Sequence, residues 1–305
     1  MAVENFPALK VVANGSTFDV LVEMAQSAAK AQPHKNSSFT RLAIHSAGVY
    51  TSGQLGSVVR YCPSLFEIII EVKVGFTDTD LFCLTSLKNL QILKLVFHQQ
   101  SNNGREITFD KGLVPVLKVI GSSLKVLYLS YFQFVDIWTI VKFCPNLMAL
   151  AFENQCQSLS VLSEKEVIEL RNEKGRVYFK DLKVLRCGYN LSNDILFDLL
   201  SSPLLESVDI DFCDALTDDL LQNVMANGFL KNLKLLRIES CRLVTKQGLD
   251  ELAIKENIFK KLSIYFCEKV TGDNVFEWQK IACDQNWELN IDFKSFGNEH
   301  ININV

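Results

Sequence analysis

The sequence predicts an α/β fold, a right-handed solenoid curved like a horseshoe, with a concave parallel sheet and convex helices. Three observations support this prediction. One spacing of apolar residues is repeated along almost the whole chain, each copy contains a short strand pattern, and a helical pattern separates successive copies. A chain of this kind grows by addition of units, so its 305 residues require no second core of another architecture.

Three copies of the repeat are especially clear between residues 205 and 283. In the first copy, the apolar residues Leu205, Val208 and Ile210 are followed by Cys213. The equivalent residues are Leu233, Leu236, Ile238 and Cys241 in the second copy, and Phe259, Leu262, Ile264 and Cys267 in the third. The spacing L-x-x-L-x-I-x-x-C is that of a leucine-rich repeat, whose units bury their apolar residues against one another.

The same spacing extends toward both ends of the chain. Its units begin at Phe6, Phe39, Leu65, Leu90, Leu124, Leu147, Leu182, Leu205, Leu233, Phe259 and Asn286. Apolar residues two apart lie on one face of a strand, and a helical return makes neighbouring strands parallel. The predicted strands are Leu9–Val12, Leu42–His45, Ile68–Val72, Leu93–Val96, Leu127–Ser130, Leu150–Glu153, Leu185–Gly188, Val208–Asp211, Leu236–Glu239, Leu262–Tyr265 and Leu289–Asp292.

Helices are predicted between these strands. Residues 18–31 have apolar side chains at helical spacing. The sequence Ser163-Glu164-Lys165-Glu166 is typical of a capping box, in which a hydroxyl and an acidic side chain satisfy the first backbone N–H groups of a helix. Ser192, Thr217 and Thr271 are predicted to cap helices in the same way.

The repeat spacing divides the chain into three segments. Residues 1–38 are a degenerate repeat or cap, residues 39–294 are the solenoid, and residues 295–305 are a tail. Because the spacing already begins at Phe6, two explanations stay open. Either an N-terminal domain is missing from this chain, or residues 1–35 themselves cover the first full unit.

Two insertions, Gln99–Lys111 and Gln155–Val177, lengthen individual repeats. Extra residues in such repeats form loops on one face, which is often the binding face. The alternative is surface length that the fold tolerates at little entropic cost.

Composition limits the possible function. The chain is 48% apolar and 22% charged, as in globular proteins, and its net charge is -4. This charge favours binding neither to nucleic acid nor to an anionic membrane, and the absence of an apolar run of about 18 residues predicts no transmembrane helix. The cysteines, nine in all, recur at repeat positions, which favours reduced thiols and a cytoplasmic or nuclear location.

Nearly the whole chain resembles the cysteine-containing leucine-rich repeats of F-box/leucine-rich-repeat proteins. The resemblance depends on the file of Cys213, Cys241 and Cys267, on Leu216-Thr217-Asp218, and on the repeat endings Tyr61-Cys62-Pro63-Ser64-Leu65 and Phe143-Cys144-Pro145-Asn146-Leu147. In that family the repeats are the substrate-recognising arm of a cullin-type (SCF) ubiquitin ligase, and a preceding F-box docks on the ligase adaptor. The resemblance implies a protein or peptide substrate, and the SCF adaptor as a further partner.

The start of the chain departs from this family. Residues 1–35 lack the leucine–proline opening and the helical run of an F-box. Because one fold serves many functions, two functions stay open. The chain is either the arm of a ligase substrate receptor, or a recognition scaffold or fragment unconnected to ubiquitin.

Enzymatic chemistry is not expected. The sequence contains no G-x-S-x-G, H-E-x-x-H or phosphate-loop motif, and its four histidines are scattered. The cysteines do not show C-x-x-C spacing, so neither a metal site nor any other cofactor is expected.

The outward side chains of the predicted sheet are the candidate site. Those toward its C-terminal end combine acidic residues, arginines and an aromatic ring: Arg186, Asp209, Asp211, Arg237, Glu239, Tyr265 and Asp292. Aromatic residues are expected where strands end, at Phe97, Tyr131, Tyr189, Phe212, Phe266 and Phe293. Such a surface suits a peptide with basic and apolar side chains. The alternative is that Asp209 and Arg237 only pair across neighbouring strands, while the aromatic rings fold back into the helical layer.

Overall fold

The computed structural model describes residues 10–31, 37–97, 107–132, 134–153, 164–174, 179–189, 191–254, 259–296 and 300–304. These residues fall into two compact units, one ending at Leu147 and the other beginning at Met148. In each unit, strands alternate with helices and neighbouring strands follow the order of the chain. The predicted α/β leucine-rich-repeat fold is therefore confirmed.

The first unit has parallel strands throughout its described part. They are β1 (Lys10–Asn14), β2 (Arg41–Val49), β3 (Glu67–Val74), β4 (Ile92–Phe97) and β5 (Val126–Ser130). The helices are α1 (Gly15–Ala31), α2 (Gln54–Tyr61), α3 (Asp78–Leu81), α4 (Val114–Ile120) and α5 (Ile137–Phe143). Short helical turns of other types cover Phe82–Ser86, Phe109–Leu113 and Gly121–Ser123.

The second unit repeats this arrangement and ends on an antiparallel strand. Its parallel strands are β6 (Ala149–Glu153), β7 (Val184–Gly188), β8 (Ser207–Asp211), β9 (Leu235–Glu239), β10 (Lys261–Tyr265) and β11 (Asn290–Lys294). The strand β12 (His300–Asn304), inside the segment predicted as a tail, pairs antiparallel with β11. The helices are α6 (Glu164–Lys174), α7 (Asn193–Leu200), α8 (Asp218–Ala226), α9 (Lys246–Ile254) and α10 (Gly272–Gln285).

The core lies between the strands and the helices. Two positions of each strand point into it, because successive strand residues face opposite sides. In the second unit the first row is Leu150, Leu185, Val208, Leu236, Leu262 and Ile291, and the second is Phe152, Cys187, Ile210, Ile238, Ile264 and Phe293, all buried. Burying one such aliphatic or aromatic side chain stabilises the fold by about 1.5–3 kcal/mol. The positions between these rows form the other side of the sheet, here called the open face.

The repeat cysteines form the predicted file. Cys213, Cys241 and Cys267 are all buried, and the thiol of Cys241 donates to the carbonyl of Ile210 in the preceding repeat at 3.6 Å. Burial raises the pKa of the Cys213 thiol. All the cysteines within the described residues are free thiols.

Three predicted helix caps are confirmed. The hydroxyl of Thr217 accepts a hydrogen bond from the backbone N–H of Leu220 at 3.1 Å. Ser192 accepts from the N–H of Ile195, and Thr271 begins a capping box. The helix predicted after Ser163 forms, but its capping residue lies outside the described residues.

Two predicted strands were misplaced by two residues. The sequence pattern placed Lys10 beside Ala43 and Asn290 beside Ser263, whereas the structure pairs Val12 with Ala43 and Asp292 with Ser263. In the second case α10 ends on Asn286 in the left-handed conformation, at φ 56°, so the residue taken as the start of the next unit is a helix cap. The strand therefore begins later than the pattern predicted.

The insertions lie mostly outside the described residues. Of Gln99–Lys111, the described part is residues 107–111, which lead into the turn Phe109–Leu113. Of Gln155–Val177, the described part is the helix α6. Their predicted placement on a binding face stays a prediction.

Candidate functional site

The residues predicted as a site lie together on the open face of the second unit. Arg186 is on β7, Asp209 and Asp211 are on β8, Arg237 and Glu239 are on β9, Tyr265 is on β10 and Asp292 is on β11. The register aligns Arg186, Asp209, Arg237, Ser263 and Asp292 in one row across five strands. A second row aligns Gly188, Asp211, Glu239, Tyr265 and Lys294.

Arg237 lies at the centre of this arrangement. Its Nη1 donates to Asp209 Oδ1 and to Asp211 Oδ1, both at 2.6 Å, and its Nη2 pairs with Glu239. Burial by itself would lower the pKa of Arg237, but these carboxylates outweigh burial and raise it above its ordinary value. The guanidinium carbon is also 5.2 Å from the centre of the Tyr265 ring, within the range of a cation–π contact.

Arg186 holds the other side of the same carboxylates. Its nitrogens lie 3.1 Å from Glu153, 3.5 Å from Asp209 and 3.3 Å from Asp211. The pairing of opposite charges across neighbouring strands, which the sequence left open as an alternative, is therefore present. Such pairs stabilise a sheet by roughly 0.2–1 kcal/mol each.

The cluster nevertheless has an excess of negative charge. Four carboxylates, those of Glu153, Asp209, Asp211 and Glu239, surround the two guanidinium groups. Burial raises the pKa of Asp209, Arg237 opposes that rise, and the charge of Asp211 adds to it. This part of the open face therefore attracts positive charge.

Asp292 belongs to a second set of contacts at the end of the sheet. Its Oδ2 accepts a hydrogen bond from the Tyr265 hydroxyl at 2.5 Å, and its Oδ1 is 3.0 Å from Nε2 of His300 on β12. Burial alone would raise the pKa of Asp292, but these two contacts outweigh it and hold the pKa below its usual value. Lys294 lies over the Tyr265 ring at 5.1 Å.

One of the aromatic residues predicted at the strand ends is buried in the core, and others lie at the surface. Phe293, predicted to follow the end of a strand, instead lies within β11 and is 1% exposed in the core, because the strand register is shifted by two residues. In the second unit the rings of Tyr189 and Phe212 are stacked, with centroids 4.9 Å apart and 20° between planes. Phe212 is 45% exposed, so this pair does not fold into the helical layer.

Two residues that belong to the site were not included in the site predicted from the sequence. Glu153 was expected to face outward, but its ion pair with Arg186 required knowledge of which strands are neighbours. His300 was missed because residues 295–305 were taken as a tail. Its signal was the alternation of polar and apolar residues in His300–Asn304, which is typical of a strand.

Within the described residues, no group of three or more His, Cys, Asp or Glu side chains is arranged to hold a metal ion. Among the helices that the structure describes, none combines the length and the apolar character needed to cross a membrane.

Comparison with known proteins gives likenesses of structure and none of sequence. No model of a known protein family matches the chain, and no curated protein sequence matches it. The chain is similar in structure to a chain in the Rad7 and Elc1 complex of yeast, with 13% identity, a TM-score of 0.42 and coverage of 88% of this chain and 79% of that one. It is also similar to an LRR protein of Leptospira interrogans, with 14% identity, a TM-score of 0.28 and coverage of 95% and 91%.

Proposed function

We propose that this protein is a non-enzymatic recognition module that binds another protein or peptide through the open face of its second unit. The observation that carries the proposal is the combination of excess negative charge around Arg186 and Arg237 with the exposed ring of Phe212 beside it. Aromatic residues and arginine are enriched in protein interfaces, and complementary charge guides association. The expected partner carries basic and apolar side chains on one segment.

The biological context that we propose is substrate recognition for a cullin-type ubiquitin ligase, in the cytoplasm or nucleus. Its support is the resemblance of the cysteine file to F-box/leucine-rich-repeat proteins, together with the free thiols of the described cysteines. The second candidate is a leucine-rich-repeat scaffold outside the ubiquitin system. Binding of the purified SCF adaptor by the natural gene product, in its longest form, distinguishes the two candidates.

The open face is tested with a partner captured by cross-linking to the full chain, identified by mass spectrometry, and then expressed in pure form. Its dissociation constant is measured by calorimetry against the wild type and against a variant with Asp211→Asn and Glu239→Gln. These changes remove two charges while keeping side-chain shape. Affinity for a basic partner is expected to fall about tenfold or more.

The matched control removes two exposed carboxylates from the helical side, with Asp273→Asn and Asp284→Asn on α10. This control is expected to leave the affinity within about twofold, because solvent screens distant surface charges. Equal affinities for all three proteins would refute the proposal that the open face binds the partner.

A further inference from the structure

Four neighbouring strands of the second unit end in the same unusual backbone conformation. The residues after β7, β8, β9 and β10 are Tyr189, Phe212, Ser240 and Phe266, with φ of 44°, 52°, 53° and 56°. Each backbone N–H donates to the carbonyl of the last residue of the next strand, at 2.7–3.2 Å. These four residues, here called the exit row, are therefore aligned across the sheet at a spacing of about 4.8 Å.

Three of the four residues in the exit row are aromatic. A positive φ is uncommon for any residue other than glycine, and asparagine is the usual substitute. Backbone conformations of this kind cost about 1–3 kcal/mol and persist where the surrounding structure holds them. Bulky rings at these positions therefore contribute something that asparagine or glycine would not, namely aromatic surface, which is exposed at Phe212 and half-buried at Tyr189 and Phe266.

Ser240 interrupts the row of rings. On one side of it, Phe212 stacks on Tyr189. On the other side, Phe266 packs against Phe296 at 5.4 Å, and Phe296 is 66% exposed. Each ring has its aromatic neighbour on the side away from Ser240, and between Phe212 and Phe266 the exit row places only the small hydroxymethyl group of Ser240. This position between the two rings is here called the slot.

The spacing between the two backbones is wide enough for a flat group. The backbones of Phe212 and Phe266 are separated by two strand spacings, or about 9–10 Å. A planar group stacked between two rings needs two contact distances of about 3.5–4 Å, or about 7–8 Å in all. A methyl or hydroxyl group alone would leave the slot unfilled.

The charge beside the slot selects a cation. The residues immediately before Phe212, Ser240 and Phe266 are Asp211, Glu239 and Tyr265, on the open face. The excess of carboxylates there favours positive charge, and the Tyr265 ring already has two cations beside it, the guanidinium of Arg237 at 5.2 Å and the ammonium of Lys294 at 5.1 Å from the ring centre. Guanidinium is planar and weakly hydrated, whereas the lysine ammonium is compact and strongly hydrated.

We propose that the slot formed by Phe212, Ser240 and Phe266 binds an arginine side chain of the protein partner, with its guanidinium stacked between the two rings. The inference rests on the proposed function, because it places an anchor of the partner at the edge of the same open face. It adds the identity of the recognised side chain and its position.

The test uses the full chain and the acetylated, amidated peptide Gly-Leu-Arg-Leu-Gly, with matched peptides that carry lysine or citrulline in place of arginine. Binding is followed by NMR on the peptide side-chain protons, which shift upfield when they lie over aromatic rings. The arginine peptide is expected to bind about three- to tenfold more tightly than the lysine peptide, and more tightly than the neutral citrulline peptide.

Two substitutions at one position provide matched variants. Ser240→Phe fills the slot and is expected to abolish the upfield shift, whereas Ser240→Asn suits the positive φ and is expected to keep it. If Ser240→Phe does not fold, as judged by circular dichroism, Phe212→Asn removes one wall and is expected to weaken binding to the same extent. Either variant must retain the wild-type melting curve for its binding result to be interpreted.

Equal binding of the arginine and lysine peptides, or an unchanged shift in Ser240→Phe, would overturn the slot. Absence of any binding by the wild type would overturn it as well. The proposed function would survive these results if the captured partner still depended on Asp211 and Glu239. The opposite result is also informative. If the arginine peptide binds as expected but the captured partner does not depend on Asp211 and Glu239, the proposed function is contradicted and the slot is a peptide site with another role.

Discussion

The carboxylate of Asp218 joins one repeat to the next by accepting two hydrogen bonds from Thr245. Its Oδ1 accepts from the Thr245 backbone N–H at 2.8 Å, and its Oδ2 accepts from the hydroxyl at 2.6 Å. The first unit contains the same arrangement between Asp78 and Thr108, at 2.6 and 2.9 Å. An acidic residue in the first turn of one helix therefore satisfies the backbone at the start of the next helical segment.

Replacement of Asp218 by alanine is expected to destabilise the protein. Both bonds involve an ionised acceptor, and bonds of this kind contribute about 1.5–3 kcal/mol. The free energy of unfolding, measured by urea denaturation, should fall by about that amount. Asp219→Ala, at the exposed neighbouring position, is the control and should change it far less. An equal loss in both variants would contradict the role assigned to the Asp218–Thr245 contact.

Gly248 offers a test in which helix propensity and packing predict opposite signs. Alanine in place of glycine in a helix stabilises it by about 1 kcal/mol. A Cβ at Gly248, however, would overlap Oδ1 of Asp218 and approach its Cα at 2.9 Å. Gly248→Ala is therefore expected to lower the melting temperature.

Gly56 in α2 is the matched control for Gly248. A Cβ there would meet only the Cβ of Cys83, at an ordinary 3.7 Å. Gly56→Ala is expected to raise the melting temperature, because the gain in helix propensity has no opposing clash. If the melting temperature rose in both variants, helix propensity, and not the close approach of Asp218 to Gly248, would determine the effect of alanine.

Arg237→Met should produce a loss of stability that depends on pH. Without the guanidinium, Asp209, Asp211 and Glu239 repel one another, and the pKa of Asp209, already raised by burial, rises further. A raised carboxyl pKa means that the folded state binds protons more readily than the unfolded state. The loss of stability in the variant therefore shrinks as the pH falls through the raised pKa of Asp209. The expected deficit is about 1–3 kcal/mol at pH 7 and less at pH 4.5.

The measurement for Arg237→Met is urea denaturation at both pH values. Lys234→Met is the control, because exposed Lys234 pairs with Glu206 at 2.6 Å, where solvent screens the charges. A deficit in Arg237→Met that is the same at both pH values would show that lost packing, and not charge repulsion, is the cause.

Tyr265→Phe should raise the pKa of Asp292. The hydroxyl donates to the ionised carboxylate at 2.5 Å and helps to hold its pKa below the ordinary value of 3.8. A lowered carboxyl pKa stabilises the fold above the unfolded value and loses this effect as pH falls through the folded value. The variant should therefore be less stable by about 0.5–1 kcal/mol at neutral pH, and the difference should shrink as the pH falls through the pKa of Asp292 in the folded wild type.

An NMR titration of the Asp292 carboxyl carbon checks this prediction directly. Asn302→Ala, on the same terminal strand as His300, is the control and should leave the Asp292 titration in place. A Tyr265→Phe protein in which Asp292 titrates as in the wild type would show that His300 and Lys294, and not the Tyr265 hydroxyl, lower its pKa.

The alternating apolar residues carried most of the fold prediction. Local spacing was enough to predict the file of Cys213, Cys241 and Cys267 and the caps at Thr217 and Thr271. These predictions required no knowledge of which strands lie side by side. The position of β11 could not be predicted in this way, since the helix end at Asn286 shifts the pattern by two residues. The contacts of Arg186 with Glu153 and of His300 with Asp292 depend on which strands lie side by side.

The amino-acid sequence by itself determined the repeat, the parallel strands and the outward placement of the charged residues, because alternation along a strand fixes which side chains enter the core. The tertiary structure alone decided which charges meet, that β12 pairs with β11 and brings His300 to Asp292, and that Ser240 lies between Phe212 and Phe266 in the exit row. These outcomes depend on the register between neighbouring strands, most of them more than twenty residues apart, and register comes from packing rather than from local preference.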